Sequence, residues 1–380
     1  MDRSKQHSAS RYNVRIRTDH QVVNINRRSL LSTIPAAVIS GGCTKRSDTQ
    51  SSEFEPDYDR LRWEYGTDGR VASSPTISDG HLLVGSMDGR LRALDPSTGA
   101  LNWAFEAEDG IWSSPMVDDG VVYVSSLDST LYALETDGTK RWEFETGDSI
   151  WSSHPTIDSG TVYVGSSDAH VYAVSADTGT EQWAYETDGG IFAGPTVHDG
   201  IVYVGSQDDS LYALEGDTGE QVWEFSTEGH VDVEAAVSGN QVFVGSKDGR
   251  FYAIDREDGS ENWSLDTGSK INSAPTIWRD TVYVATRFSS LYALDPETGG
   301  VNWANETPIS PINADPVIVD GVAYLGDRVG YLHAFDAKSG THNWKFETGN
   351  AVHSSPVVTD DTIYFGSNDT YIYAIEHPSK

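Results

Sequence analysis

One phrase recurs through this chain about every forty residues, and no other feature restricts its fold as tightly. Leu291–Trp303 reads LYALDPETGGVNW; close variants end at Trp103, Trp183, Trp223 and Trp263, a form one residue shorter ends at Trp142, and another ends at Trp344. RLRWEY, residues 60–65, adds Trp63 in phase, so successive tryptophans stand 39 to 41 residues apart. Spacing this even marks a single supersecondary unit copied many times. It overrides the two-domain expectation that 380 residues would otherwise raise.

One unit shows what is copied. Ser73–Ile77 (SSPTI) leads through Ser78-Asp79-Gly80 to His81–Ser86 (HLLVGS), Met87-Asp88-Gly89 leads to Arg90–Asp95 (RLRALD), and Pro96-Ser97-Thr98-Gly99 leads to Leu101–Phe105 (LNWAF). Each run is short and rich in Val, Leu, Tyr or Trp, and each gap carries the Asp, Gly, Pro and Ser that tight turns need. No helical period runs through the units. Four short strands joined by hairpins form the blade of a β-propeller.

The blades are counted by the Ser-Ser-Pro-like strand that opens each, marked by Pro75, Pro115, Pro155, Pro195, Ala235, Pro275, Pro316 and Pro356. The tryptophans also number eight, but one strand bearing a Trp precedes the first complete unit, and the last unit stops at Tyr371–Glu376 without one. The expected fold is therefore all-β. It is an eight-bladed propeller of four-stranded antiparallel blades over residues 58–380, closed by strand 60–65 joining the C-terminal blade. Closure leaves no blade with an exposed missing edge.

The segment before the repeats reads differently. Arg27-Arg28 followed by a short apolar run resembles a twin-arginine export signal, and Ser40-Gly41-Gly42-Cys43 resembles a lipobox. The run is too short to span a bilayer. Residues 1–42 are expected to be a removed signal, Cys43 the lipidated first residue, and residues 43–57 a polar tether. This places the propeller outside the cytoplasm, on the outer side of the cell membrane, touching it through the lipid alone.

Charge narrows the partners. The chain carries −32, and from Cys43 onward 19 basic residues face 56 acidic ones. Such a surface repels phosphate backbones and excludes nucleic acid. The acid is spread over every repeat and lysine is scarce, which fits a halophile's surface, screened in concentrated salt. A partner that is cationic or brings metal ions is the other reading.

The phrase Ala-x-Asp-x-x-Thr-Gly-x-x-x-Trp, as in Ala93–Trp103 and Ala293–Trp303, resembles the pyrroloquinoline-quinone (PQQ) enzyme repeat, from Trp63 to about Glu376. The resemblance implies that Trp63, Trp103, Trp142, Trp183, Trp223, Trp263, Trp303 and Trp344 dock on neighbouring blades. Enzymes of that family add a vicinal disulfide, a calcium site, a catalytic aspartate and long insertions. Here Cys43 is the sole cysteine and the even spacing leaves no room for insertions. The resemblance thus points to the non-catalytic, BamB-like branch: a monomeric scaffold binding an envelope protein or polymer, with no cofactor and no metal. PQQ with calcium belongs to the alternative, a quinoprotein dehydrogenase.

Candidate binding residues are those that break the repeat. At the position leading each blade stand Trp112, Trp151, Phe192, Asp232, Asn272, Asn313 and His353, with Glu234 and Asp315 close behind. The turns between second and third strands normally carry Asp88, Asp128, Asp168, Asp208, Asp248 or Asp369, which suit caps on local amides, but read Arg287 and Arg328 in two blades. In a propeller these two sets share one face. Rings on one arc and charged or amide groups on the other suit a peptide or a sugar, so a glycan-binding surface module is a further reading. Plugging of the channel by the rings, and solvation of the acids, are the plainer ones.

Overall fold

The computed structural model describes residues 14–16, 58–287, 291–305, 311, 312 and 314–378, and they form the closed ring. The first complete blade comprises Thr76–Ser78, His81–Gly85, Arg90–Leu94 and Leu101–Glu106, paired antiparallel in that order from the channel outward. Six further sheets repeat this arrangement. The eighth blade pairs Val357–Val358, Thr362–Gly366 and Tyr371–Glu376 with Leu61–Gly66 as its fourth strand, Trp63 opposite Ala374. A three-residue strand, Val14–Ile16, lies antiparallel along the outside of Leu61–Gly66.

The innermost strands are shorter than SSPTI suggests, three residues in seven blades and two in the eighth. Pro75 cannot donate to a ladder, and the serines before it bond elsewhere. The Ser73 hydroxyl accepts from the Gly85 amide at 3.2 Å, and the Ser74 amide donates to the Ser114 hydroxyl of the next blade at 3.0 Å. In several blades the residue just before the proline position therefore stitches neighbours together before the strand begins.

Second and third strands are buried nearly throughout, as in Val121–Ser125, while outer strands such as Leu101–Glu106 keep alternate residues in solvent. Both faces of the middle strands meet a neighbouring blade, which is why they read as continuous apolar runs. The buried side chains form eight clusters, each straddling one junction between blades. One of them joins Trp63, Tyr65, Ile372 and Ala374 of the last blade to Leu82, Val84 and Leu94 of the first. Within the last blade, Thr67 N–H to the Thr370 carbonyl at 2.8 Å and Arg62 to Asp361 at 3.1 Å tie the N-terminal strand to the C-terminal ones.

The tryptophans dock as the repeat implies. Trp263 lies so close on Gly299 of the next blade that a Cβ there would sit 2.6 Å from the indole, and its Nε1–H donates to the Pro296 carbonyl at 2.9 Å. Trp63, Trp142, Trp183, Trp223 and Trp303 make the same bond to the equivalent carbonyl. Trp103 does not: its Nε1 is buried without an acceptor. The turn it meets is one residue shorter, Gly138 N–H closing on Glu135 where Gly299 N–H closes on Asp295, so the receiving carbonyl is missing. Trp344 meets the ring's seam instead of a Thr-Gly turn, with the Arg60 guanidinium 4.8 Å above its ring. Burying each such aromatic is worth about 2 kcal/mol.

Turn aspartates bolt adjacent loops. Asp208 accepts from the Ser210 and Asp188 amides, both at 3.0 Å, and from the Tyr212 hydroxyl at 2.9 Å. In the first blade Arg92 replaces the tyrosine, and its guanidinium meets Asp88 at 2.6 and 2.9 Å with both side chains buried. That partner holds the Asp88 carboxyl below its ordinary range although burial pushes it up.

Candidate functional site

The residues leading each blade lie beside the turns between second and third strands. Lys247 N–H donates to the His230 carbonyl at 2.9 Å and Arg328 N–H to the Pro311 carbonyl at 3.0 Å, so both sets share one face. The residues just before each proline position line the channel mouth there. Several are linked from blade to blade: the Ser355 amide donates to the Ser74 hydroxyl at 2.9 Å, the Asp315 amide to Ser355 at 3.1 Å, and the Ala274 amide to the Asp315 carboxylate at 2.6 Å.

This belt breaks at Gly194, which has no side chain to offer. A Cβ there would fall 2.4 Å from Glu234 Oε1 and 2.8 Å from the His154 carbonyl, because the Glu234 carboxylate leans across the gap. It reaches His154 Nε2 at 2.7 Å, joining the fifth blade to the third over the top of the fourth. Burial disfavours charge on His154, but Glu234, with help from Asp315, prevails and lifts its pKa to about 9. Burial and the Glu234 charge push Asp315 up to about 6, against the Ala274 amide and His154.

Trp112, Asp232, Glu234, Asn272, Asp315 and His353, six of the residues singled out from sequence, line one cavity of about 290 Å³ at this mouth. His154 and Lys247 line it too, and sequence comparison did not single them out as binding residues. Lys247 pairs with Asp232, whose other oxygen is buried without a hydrogen-bond partner, as is His154 Nδ1. A lysine in a lysine-poor chain, one turn along from a blade-leading aspartate, was the signal available. His353 is held down to about 4 by burial and by the charges of Arg328 and Arg70.

The aromatic arc is continuous. Trp112 sits 6.1 Å from the His353 ring and 6.2 Å from Trp151, which stacks on Phe192 at 6.2 Å and 28°. Trp151 is 40% exposed, because the third blade has one residue more between its buried Ile150 and Pro155 than the second has between Ile111 and Pro115. Arg328 reaches the site through its field on His353. The cap it displaces is supplied one residue earlier, where Asp327 accepts from the Val329, Gly330 and Tyr331 amides. Arg287 sits on the same face but does not line the cavity. Asn313, Arg27, Arg28 and Cys43 lie outside the described residues.

The mouth therefore presents stacked rings beside paired and hydrogen-bonded charged groups, an arrangement that binds and orients. Among the described residues no group of three or more His, Cys, Asp and Glu is placed to hold a metal ion. No helix among them is long and apolar enough to cross a membrane.

Comparison with known proteins agrees with the geometry. The family described as outer membrane protein assembly factor BamB matches residues 49–152, 145–233, 224–314 and 287–378. No curated protein matches the chain in sequence. Among solved structures, BamB from Moraxella catarrhalis is 20% identical with a TM-score of 0.72, covering 83% of this chain and 99% of its own. The computationally designed Ika8 protein is 17% identical at 0.74, covering 82% and 98%. The quinohemoprotein alcohol dehydrogenase of Comamonas testosteroni is 17% identical at 0.69, covering 84% of this chain but 76% of its own. These likenesses share the ring, and the family match across nearly all of it adds lineage: the chain belongs to the BamB family of eight-bladed propellers, on the non-catalytic branch of the PQQ repeat.

Proposed function

We propose that the protein is a non-catalytic scaffold, exported and lipid-anchored through Cys43, that holds an envelope protein on the face bearing the channel mouth. The observation that carries this reading is the convergence of the frame-breaking residues. Trp112, Asp232, Glu234, Asn272, Asp315 and His353 line one cavity beside the exposed Trp151, which stacks on the half-buried Phe192. Rigid aromatics flanked by oriented charges make good anchors for a partner's loop. The relative named for outer-membrane assembly has the same ring, and Arg27-Arg28 and Cys43 would supply export and anchorage. The dispersed acid supports a high-salt surface. The Trp151–Phe192 stack favours a second reading, a polymer partner whose sugar rings lie on those faces.

The test is a photocrosslinking residue at position 151 in cells, with and without Trp112→Ala/Phe192→Ala. A discrete crosslinked protein that the double variant loses, at an unchanged unfolding midpoint, supports the scaffold. No crosslink, or a collapse of stability in the variant, refutes it. A glycan panel read in high salt tests the sugar reading. Membrane fractionation of Cys43→Ala tests the anchor: protein that stays in the membrane fraction would contradict it.

A further inference from the structure

A second site lies on the opposite face, where three departures from the repeat meet in one groove. The middle residue of the innermost hairpin turn is Asp79, Asp119, Ser159, Asp199, Gly239 or Asp320 in other blades, all with positive φ, and in the sixth blade it is Arg279 at φ 54°. Arginine is a poor choice for that backbone region, where Asp is well suited. Beside it Trp278 stands where other blades have Ser78, Asp118, Asp158, His198, Ser238 or Val319. In the turn between third and fourth strands, the position held by Ser97, Asp137, Asp177, Asp217, Glu257 and Glu297 becomes Lys338 in the seventh blade. Two positions that are otherwise mostly acidic have thus reversed sign, and they are 59 residues apart.

The ring brings them together. Trp278, Arg279, Asp280, Asn302, Trp303 and Lys338 wall a cavity of about 430 Å³ between the sixth and seventh blades. The equivalent groove between the first two blades, walled by Ser78 and Trp103, holds about 10 Å³. Arg279 stacks on Trp278, its guanidinium carbon 4.2 Å from the ring centroid. Among the described residues neither Arg279 nor Lys338 has an ion-pair partner, in a chain with 58 acidic residues to 26 basic ones.

We propose that this groove binds a carboxylated sugar, a hexuronate unit of a surface polysaccharide. Arg279 and Lys338 take the carboxylate, the guanidinium as a fork and the ammonium as a point charge. Trp278 gives the sugar's apolar edge a wall, and Asn302 and Asp280 accept from hydroxyls. Asp280 and Asn302 favour a uronate over an acidic peptide of equal charge, because only the sugar surrounds its carboxylate with hydroxyls that both can accept from. The volume suits one or two sugar rings. This site is independent of the channel mouth and of any partner held there.

The experiment titrates tetragalacturonate into the protein, followed by calorimetry and tryptophan fluorescence, in the lowest salt that keeps the β-sheet circular dichroism. Cellotetraose and a tetraglutamate peptide are the controls. Arg279→Asp/Lys338→Glu restores residue types the repeat itself uses at these turns, so the fold is not at stake, and unfolding midpoints check this. Saturable binding of the uronate alone, weakened about tenfold or more in the double variant, supports the site. Trp278→Ser should weaken it too. No binding, equal binding by the variant, or equally tight binding of either control would overturn it.

Discussion

Trp103 and Trp263 offer a matched pair for weighing one hydrogen bond in the tryptophan girdle. Both are half-buried, and both press on a turn glycine whose Cβ would lie 2.6 Å from the ring. They differ in that Trp263 Nε1 donates to Pro296 at 2.9 Å while Trp103 Nε1 is buried with no acceptor. Replacing each with Phe removes similar volume, so the packing loss cancels in the comparison. Trp263→Phe also loses a bond worth about 1 kcal/mol net, and Trp103→Phe relieves an unsatisfied donor that costs roughly 1–3 kcal/mol. Trp263→Phe should therefore be more destabilising by about 2 kcal/mol. In urea, with a slope of about 3 kcal/mol/M for a ring of this size, the midpoints separate by roughly 0.7 M. Equal midpoints, or a larger loss at Trp103, would refute the assignment of the short turn as the cause.

Three other outcomes follow from the same geometry. His154 should titrate near 9 by proton NMR and fall toward its ordinary 6.5 in Glu234→Gln. Because the folded value is the raised one, the stability from this pair is complete below about pH 6.5 and fades as pH rises through 9, so wild type and variant should converge above about pH 10; a wild-type midpoint near 6.5 would contradict the pairing. Gly194→Ala should act on the same pair, since its Cβ falls 2.4 Å from Glu234 Oε1, and lower the His154 midpoint with a loss of about 1–3 kcal/mol in urea; an unchanged midpoint would count against the bridge. Asp88→Ala strands the buried Arg92 and should cost about 3–5 kcal/mol, more than Asp208→Ala, whose partners are a hydroxyl and amides; equal losses would show the guanidinium is not held by Asp88.

The ring was legible because its signals are local and repeated. Asp-Gly and Thr-Gly fix the turns, and the phase slip between Trp63 and Glu376 requires closure on the sequence alone. Tyr371–Glu376 came out residue for residue, and strand 60–65 shifted by one to Leu61–Gly66. The innermost strands were overlong because nothing in SSPTI says that its serines bond across blades. At the mouth, single positions could be flagged as exceptions, but not their pairings. Glu234 meets His154 only because the ring curves them together above a glycine, and Lys247 meets Asp232 through a turn fifteen residues on. Trp278, Arg279 and Lys338 were just as exceptional in sequence. They became a site only once two blades were seen to share a groove.

Closure of the ring is tested most directly by amide hydrogen exchange, which needs no substitution. If Leu61–Gly66 is the fourth strand of the last blade, its amides and those of Tyr371–Glu376 should be protected together, to the level of Arg250–Asp255 paired with Glu261–Asp266 in the fifth blade. Exchange of 61–66 at the rate of an unpaired chain, with 371–376 behaving as an open edge, would mean the wheel does not close.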